Sequence, residues 1–278
     1  MTYTCRLCLK NTDLKISHII PKFFYKEIKN NSLTGKMRNT QNVNKPQQDG
    51  IKTQFLCQHC EELFSKYEKY FSENIYKHYI NNEASYVLNS NNNELRYFIL
   101  SLAWRHIQYY LELNNQDPNK YPLDITSNER VALEKILDLW RFDLLQEKHN
   151  NIKKKQMFII PYDIINTTDI TISNFLKKNS ITPDFAFYNQ ENTFDLGLFF
   201  LKVPHLIFIT TIWGHYDKLK SNQIGNLIKM RNTKFDKTIY YFMNKSETAF
   251  MNAQQQLSET QIQETIKRAL KVSIKSNP

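Results

Sequence analysis

The chain has few glycines, only 5 in 278 residues, and none of them form a glycine-rich phosphate-binding loop. Loops that cradle nucleotide phosphates need closely spaced glycines, because side chains would block the approach of the backbone. The sequence therefore gives little support to a nucleotide-binding enzyme. It also lacks internal repeats and heptads, which argues against a solenoid and a coiled coil.

Long apolar runs are also absent. The most apolar stretch, Phe194 to Trp213, is broken by polar residues and by Pro204, and it is rich in β-branched and aromatic residues. This composition predicts strands and not a membrane span. The first ten residues are polar, unlike a secretion signal. We therefore expect a cytoplasmic protein without a membrane partner.

Cysteine is scarce, and all 4 cysteines lie in the first 60 residues. They form two C-x-x-C pairs, Cys5 with Cys8 and Cys57 with Cys60. In a reducing compartment such pairs favour metal binding over disulfides. Two pairs supply the four thiolates of a tetrahedral structural zinc site, so we predict one bound Zn²⁺. The alternative is four unrelated buried or redox-active cysteines.

Acidic residues are outnumbered, with 27 Asp and Glu against 37 Lys and Arg, which gives a formal net charge of +10. The basic residues are spread along the chain, and many lie in its first fifth. A basic protein commonly binds nucleic acid, and we expect nucleic acid as the partner. The alternative is that the many lysines and asparagines reflect an AT-biased genome.

Apolar residues recur at helical spacing in three stretches, Leu63 to Ile75, Leu95 to Tyr110 and Leu133 to Leu144. This spacing predicts three helices. The third helix is expected to begin at a capping box formed by Thr126 and Glu129. Before the first helix, residues 31–50 are polar and predict a long loop or an irregular hairpin.

The remaining sequence predicts an α+β fold in three parts: a zinc-binding module at residues 1–80, a helical bundle at 81–150 and an α+β domain of unknown role at 151–278. Ser258 and Gln261 indicate a capping box that begins a final helix. Runs of β-branched and aromatic residues predict five strands in the last part. They are Gln156 to Pro161, Asp184 to Tyr188, Thr193 to Val203, Leu206 to Trp213 and Lys237 to Met243.

Between the cysteine pairs lies the segment Ser17-His18-Ile19-Ile20-Pro21, and Glu61 follows the second pair at the start of a helix rich in Phe and Tyr. With these motifs in this order, residues 3–71 resemble the treble-clef HNH endonucleases, the ββα-metal group. The resemblance implies a treble-clef ββα fold for the zinc module. It also implies metal-dependent hydrolysis of DNA phosphodiester bonds.

The family pattern assigns roles to particular residues. His18 matches the general base, which activates water for attack on phosphorus. A Mg²⁺ or Mn²⁺ ion distinct from the zinc is implied, and Glu61 stands where many members have a His or Asn ligand. Because carboxylates bind such ions, we expect Glu61 to be a metal ligand in the catalytic set. The chain has Ser17 where many members have Asp.

The family's middle asparagine has no counterpart directly before the second cysteine pair, and candidates for its role lie further upstream: Asn39, Asn42 and Asn44. The resemblance also implies double-stranded DNA as the partner, contacted at the minor groove, in a bacterial anti-phage defence setting. Targeting would come from the C-terminal domain or from a regulatory protein partner. Three cations are expected to contact nucleic acid: Lys22, Lys52 and Arg105.

Alternatives stay open for the residues and for the whole chain. His18 is otherwise a buried histidine that supports the zinc module, and Glu61 a first-turn acidic residue favoured by the helix dipole. In a second interpretation the zinc module is catalytically inactive and binds nucleic acid or a partner protein, which accounts better for Ser17. In a third, the C-terminal domain is an enzyme or a small-molecule sensor that the zinc module anchors to DNA.

Overall fold

The computed structural model describes residues 3–32, 34–81, 92–163, 165, 167–190, 193–219 and 235–276. Helices and strands are both abundant, which confirms the predicted α+β class. No described helix is long and apolar enough to cross a membrane. Residues 82–91 of the predicted bundle lie outside the described residues.

The N-terminal part contains three antiparallel strand pairs and two helices. Strand β1 (Tyr3–Thr4) pairs with β2 (Asn11–Thr12), β3 (Leu14–His18) with β6 (Lys52–Cys57), and β4 (Met37–Asn39) with β5 (Asn42–Gln47). Helix α1 (Lys22–Asn30) follows β3, and α2 (Gln58–Phe71) follows β6 without a loop. The β4–β5 pair confirms a hairpin within residues 31–50.

The middle part is helical. Helix α2 continues through a π-helical turn (Ser72–Tyr76) into α3 (Lys77–Ile80), and α4 (Asn93–Gln116), α5 (Ser127–Leu145) and α6 (His149–Lys153) follow. The capping box that begins α5 is confirmed, since Thr126 Oγ1 accepts a bond from Glu129 N at 3.2 Å and a Glu129 carboxylate oxygen accepts one from Thr126 N at 2.6 Å. Such caps contribute about 1 kcal/mol each.

The C-terminal part is built on a four-stranded antiparallel sheet. Its strands are β7 (Met157–Pro161), β8 (Thr182–Gln190), β9 (Thr193–Val203) and β10 (Leu206–Gly214), in the order β7-β10-β9-β8. Four of the predicted strands are thus confirmed. The described helices here are α7 (Ile170–Lys177), α8 (Lys237–Gln255) and α9 (Glu259–Ser276).

The fifth predicted strand, Lys237 to Met243, is wrong, because these residues begin helix α8. Asp236 caps this helix by accepting a hydrogen bond from the backbone N–H of Ile239 at 3.2 Å. Ile239, Phe242 and Met243 are all buried. Their spacing of three and four places them on one helical face, so packing against the sheet decides the local structure.

A common core joins the three predicted parts. Phe71 of α2 stacks on Phe98 of α4 with ring centroids 4.2 Å apart, and the ring of Phe208 from β10 lies 5.7 Å from Phe71. One face of the sheet thus belongs to the same core as the zinc module and the helices. The other face packs on α7 and α8, where Phe200 stacks on Phe242 at 4.9 Å. Each buried phenylalanine contributes about 1.5–3 kcal/mol.

Candidate functional site

The four cysteines come together in one cluster, as the sequence predicts. The Sγ atoms of Cys5, Cys8, Cys57 and Cys60 all lie within 4.8 Å of one another, and those of Cys8 and Cys57 are 3.8 Å apart. A zinc tetrahedron with Zn–S bonds of about 2.3 Å has edges of about 3.8 Å. The four side chains therefore fit a zinc ion, which these residues could hold.

Two tight backbone structures position the sulfur atoms. Cys5 and Cys8 lie in the turn between β1 and β2, which closes when the Cys5 N–H donates to the Lys10 carbonyl at 3.0 Å. Cys57 ends β6 and caps α2, and Cys60 lies in the first turn of that helix. The backbone N–H of Cys57 also donates to Cys5 Sγ at 3.3 Å. The strand-to-helix junction thus delivers two thiols toward the turn.

The cluster favours a thiolate, the form that binds metal. A hydrogen bond from the Cys60 thiol, together with the backbone N–H groups of Cys8, Cys57 and Leu7, lowers the pKa of Cys5 to about 4 although burial opposes this. The same pairing raises the pKa of Cys60. A divalent cation among four sulfurs would remove this imbalance by attracting all the thiolates.

Two arginines attach the first cysteine pair to the helices behind it. Arg6 Nε lies 2.8 Å from a carboxylate oxygen of Glu112 on α4. Arg141 of α5 donates to the backbone carbonyl of Leu7 at 3.3 Å. The turn that carries Cys5 and Cys8 is therefore held from outside the zinc module as well as by its own backbone.

The predicted base, His18, is the last residue of β3, and its ring is held by a carboxylate. Its Nε2 lies 3.0 Å from Asp49 Oδ1, and the other oxygen of Asp49 lies 2.9 Å from Lys52 Nζ. Burial opposes ionisation of Asp49, but the bonds from Lys52 and His18 outweigh it and hold the pKa of Asp49 well below its usual range. A carboxylate can only accept hydrogen bonds, so Nε2 of His18 is the donor in its contact with an ionised Asp49.

The other ring nitrogen of His18 is available for chemistry. None of the described residues forms a hydrogen bond with Nδ1, and the side chain is 23% exposed. A neutral imidazole with one nitrogen anchored on a carboxylate and the other open to water is the arrangement of a general base. The general-base role of His18 stays a prediction, and Nδ1 is the atom that would carry it.

Sequence reasoning missed Asp49. In the sequence it precedes Gly50, and an Asp-Gly pair normally indicates only a turn. Asp49 indeed accepts a bond from the Gly50 N–H at 2.9 Å, but its carboxylate also reaches His18, which lies 31 positions away. The available signal was the pairing of β3 with β6, which places Lys52 opposite His18 and brings the turn before β6 to the histidine.

Ser17 and Glu61, the residues that depart from the family pattern, bind each other. Ser17 Oγ donates to Glu61 Oε2 at 2.6 Å, and Ser17 is fully buried. Because successive residues of a strand point to opposite faces, Ser17 reaches α2 while His18 reaches the Asp49 turn. The Ser17 hydroxyl is therefore hydrogen-bonded to one of the two oxygens of Glu61, the carboxylate that was predicted to bind a catalytic metal.

The predicted Mg²⁺ or Mn²⁺ site at Glu61 has fewer closely placed ligands than the cysteine cluster. Among the described residues, the cysteine cluster is the only close group of three or more His, Cys, Asp or Glu donors. Mg²⁺ is often held by one or two carboxylates with several waters. Glu61 offers a carboxylate suited to Mg²⁺ or Mn²⁺, with Oε1 not bonded to any described residue.

Arg105 is a structural part of this site and not a phosphate contact, so that prediction is wrong. Its side chain is only 1% exposed. Its Nη1 donates to the backbone carbonyl of His18 at 3.1 Å, and its Nη2 lies 2.6 Å from Glu68 on α2. Burial raises the pKa of Glu68, and the charge of Arg105 opposes this increase.

The other predicted contacts are placed as follows. Lys22 is exposed at the start of α1, and Lys52 lies beside the histidine in its ion pair with Asp49. Asn44 is engaged elsewhere, because its side chain bonds the carbonyl of Gln256 and the N–H of Ser258 at 2.9 and 2.8 Å. Asp49, and not Asn44, is therefore the residue that holds the His18 ring.

Comparison with known proteins found no matching family model, no matching curated protein and no matching solved structure.

Proposed function

We propose that the chain is an HNH-type endonuclease that cleaves DNA phosphodiester bonds. The observation that carries this proposal is the His18–Asp49 contact, which sits on a hairpin attached to a four-cysteine cluster and to helix α2. Two paired strands followed by a helix, with cysteines at both ends, support the proposal of a treble-clef ββα module. In this proposal the four cysteines would hold a structural zinc ion and His18 would act as the base, with a separate divalent ion at the phosphate.

In the proposed reaction His18 Nδ1 accepts a proton from water as the water oxygen attacks phosphorus. The P–O bond to the leaving oxygen breaks, and the leaving oxygen takes a proton from solvent. Asp49 keeps the proton of His18 on Nε2 and stabilises the imidazolium that forms. General base catalysis of this kind contributes about 10²–10⁴ in rate.

Positive charge is needed where the phosphate develops negative charge. Lys52 lies next to the histidine, and its side chain is 45% exposed, so its ammonium group can also face a phosphate. Glu61 would hold a Mg²⁺ or Mn²⁺ ion, which when bound stabilises charge on the phosphate oxygens. Exposed cations such as Lys22 would position the nucleic-acid backbone.

The test is cleavage of supercoiled plasmid by wild-type, His18→Ala and Asp49→Asn proteins in Mg²⁺, in Mn²⁺ and in EDTA. We expect nicking by the wild type in metal, a loss of at least about 100-fold in His18→Ala, and a smaller loss in Asp49→Asn. His215→Ala is the matched control, because His215 follows strand β10 of the C-terminal sheet and also contacts an aspartate, Asp217. Equal cleavage by wild type and His18→Ala would overturn the proposal.

A second candidate is a zinc module that binds nucleic acid or a partner protein without cleaving it. The Ser17–Glu61 hydrogen bond favours it, because a serine replaces a charged metal ligand there. This candidate predicts salt-sensitive DNA binding with no cleavage in any metal, and His18→Ala would leave binding intact. The proposed setting in anti-phage defence, with a protein that directs the cut, depends on the nuclease candidate.

A further inference from the structure

The hairpin that carries His18 also presents an apolar side chain to solvent. Ile16 is 68% exposed, although isoleucine is among the residues most often buried. It lies two residues before His18 on β3, and Gln54, its partner on β6, is also exposed. Residues two apart on a strand share a face, so Ile16 and His18 are on the same side of the hairpin.

Two lysines lie near this side chain. Lys15 is the exposed residue directly before Ile16, and Lys52, which pairs with His18 across the hairpin, lies on the same side as Ile16. A solvent-facing isoleucine with lysines nearby is unsuited to an apolar protein groove, but it suits a polyanion with an apolar interior. Duplex DNA has this composition, with phosphates outside and stacked bases inside, and the net charge of +10 complements it.

We propose that Ile16 is a wedge that enters the minor groove of duplex DNA and partly unstacks a base step beside the bond that His18 attacks. This inference rests on the proposed nuclease function. Proteins that bend DNA insert apolar side chains, isoleucine among them, in this way, and they kink the duplex by about 20–90°. Lys15 binds the flanking phosphate.

The geometry sets the distance between wedge and cut. Two strand residues span about 7 Å, and two base steps of a duplex also span about 7 Å. The wedge therefore acts about two steps from the bond that is cleaved. Pyrimidine–purine steps unstack most easily, so cleavage is enriched about two steps from TA and CA steps.

The experiment measures binding and bending without cleavage. A DNA duplex with a central TA step carries a fluorescent donor at one end and an acceptor at the other, so that energy transfer reports its bend. It is titrated with the His18→Ala protein and with the His18→Ala/Ile16→Ala double variant. We expect the bend signal to disappear and affinity to fall about 5- to 20-fold in the double variant. His18→Ala/Ile170→Ala is the matched control, because Ile170 is 76% exposed at the start of α7 and remote in sequence from the hairpin.

Unchanged bending and affinity in the double variant would overturn the wedge, and so would tighter binding of single-stranded DNA or RNA than of duplex. Circular dichroism and zinc content of each variant show whether its fold is intact, and Ile16→Ser provides a second substitution at the same exposed position.

The wedge and the nuclease are refuted by different outcomes. Bending that needs Ile16 without cleavage by the wild type refutes only the nuclease, and cleavage that ignores Ile16 refutes only the wedge.

Discussion

The guanidinium of Arg105 on α4 holds the backbone of His18, with 3.1 Å between Nη1 and the His18 carbonyl oxygen, and it forms an ion pair with Glu68 on α2. One buried side chain thus joins the candidate base, the helix that follows the second cysteine pair, and the helical bundle. The backbone of His18 is fixed by a residue 87 positions away in the sequence. The bundle therefore contributes directly to the geometry of the site.

Replacing Arg105 by alanine should destabilise the protein strongly. The change leaves the carboxylate of Glu68, whose side chain is 23% exposed, without its partner, and we expect a loss at the lower end of the range of about 3–5 kcal/mol that breaking a buried pair costs. Urea unfolding followed by tryptophan fluorescence measures this loss. Arg268→Ala is the matched control, since Arg268 forms an exposed pair with Glu264 within one helix, and such pairs contribute about 0.5 kcal/mol or less. Equal losses in the two variants would contradict the structural role of Arg105.

Zinc removal should unfold the N-terminal module. Cys57→Ser removes one of four ligands, and structural zinc sites contribute on the order of 10 kcal/mol of folding free energy. We expect the zinc content measured by mass spectrometry to fall from one ion per chain to near zero, with a lower melting temperature. A strong chelator should have the same effect on the wild type, and added Zn²⁺ should reverse it. A wild-type protein that is purified without zinc and melts normally would show that the cysteines serve another purpose.

Local patterns predicted the parts of this site that depend on short spacings. The two C-x-x-C pairs identified the cluster of four sulfurs, since a metal must join two such turns. The contacts of His18 with Asp49 and Arg105 were beyond such patterns, because they depend on strand pairing and helix packing over 31 and 87 positions. The same limit explains why Arg105 was predicted to contact a phosphate. In the sequence it is an isolated basic residue, and its burial becomes known only from the packing of α4.

Strand prediction failed for a related reason. The segment from Lys237 to Met243 contains β-branched and aromatic residues that favour strands, but its buried residues fit a helical face against the sheet. Tertiary packing overrides weak local preferences. The four strands that were predicted correctly belong to a sheet that is covered on both faces, so their apolar residues are buried on either side of it.

Gly50→Ala should disturb the turn that presents Asp49. A Cβ atom at Gly50 would lie 2.0 Å from a ring carbon of Tyr25, whose side chain is buried, so either the ring or the turn must move. We expect a loss of about 1–3 kcal/mol in stability and a lower cleavage rate. Gly35→Ala is the control: its Cβ meets no atom within 4 Å, and its φ of +62° costs only about 1–2 kcal/mol. Equal cleavage rates of the Gly50→Ala and Gly35→Ala proteins would show that the proposed reaction does not depend on this turn.

Stability should fall as pH rises above about 6.5, because of His205 in the β9–β10 turn. A hydrogen bond with Asp163 at 2.6 Å raises the pKa of this histidine, and Glu27 of α1 lies 3.6 Å from its other nitrogen. A raised folded-state pKa stabilises the protein at low pH, and this stabilisation is lost as pH rises through that value. Urea unfolding between pH 5.5 and about 8.5 measures the loss, which we expect to stay below about 1.4 kcal/mol per pH unit.

His205→Asn is the variant that isolates this effect. His205 has a φ of +71°, and asparagine tolerates that conformation better than most residues, so the turn should be kept. The pH dependence above 6.5 should become shallower in His205→Asn and in Asp163→Asn alike. If the unfolding free energy of His205→Asn falls with pH as steeply as that of the wild type, a group other than His205 causes the pH dependence.

The contact of Phe71 with Phe208 also has a consequence for the newly made protein. Ribosomes extend chains at about 5–20 residues per second, so β10 follows the zinc-binding segment by on the order of ten seconds. During that interval the nascent chain already carries His18 and all four cysteines, while the aromatic surface that Phe208 covers is exposed. Maturation of the candidate site is thereby tied to completion of the sheet, and a prematurely terminated product would meet chaperones and proteases before that site is assembled.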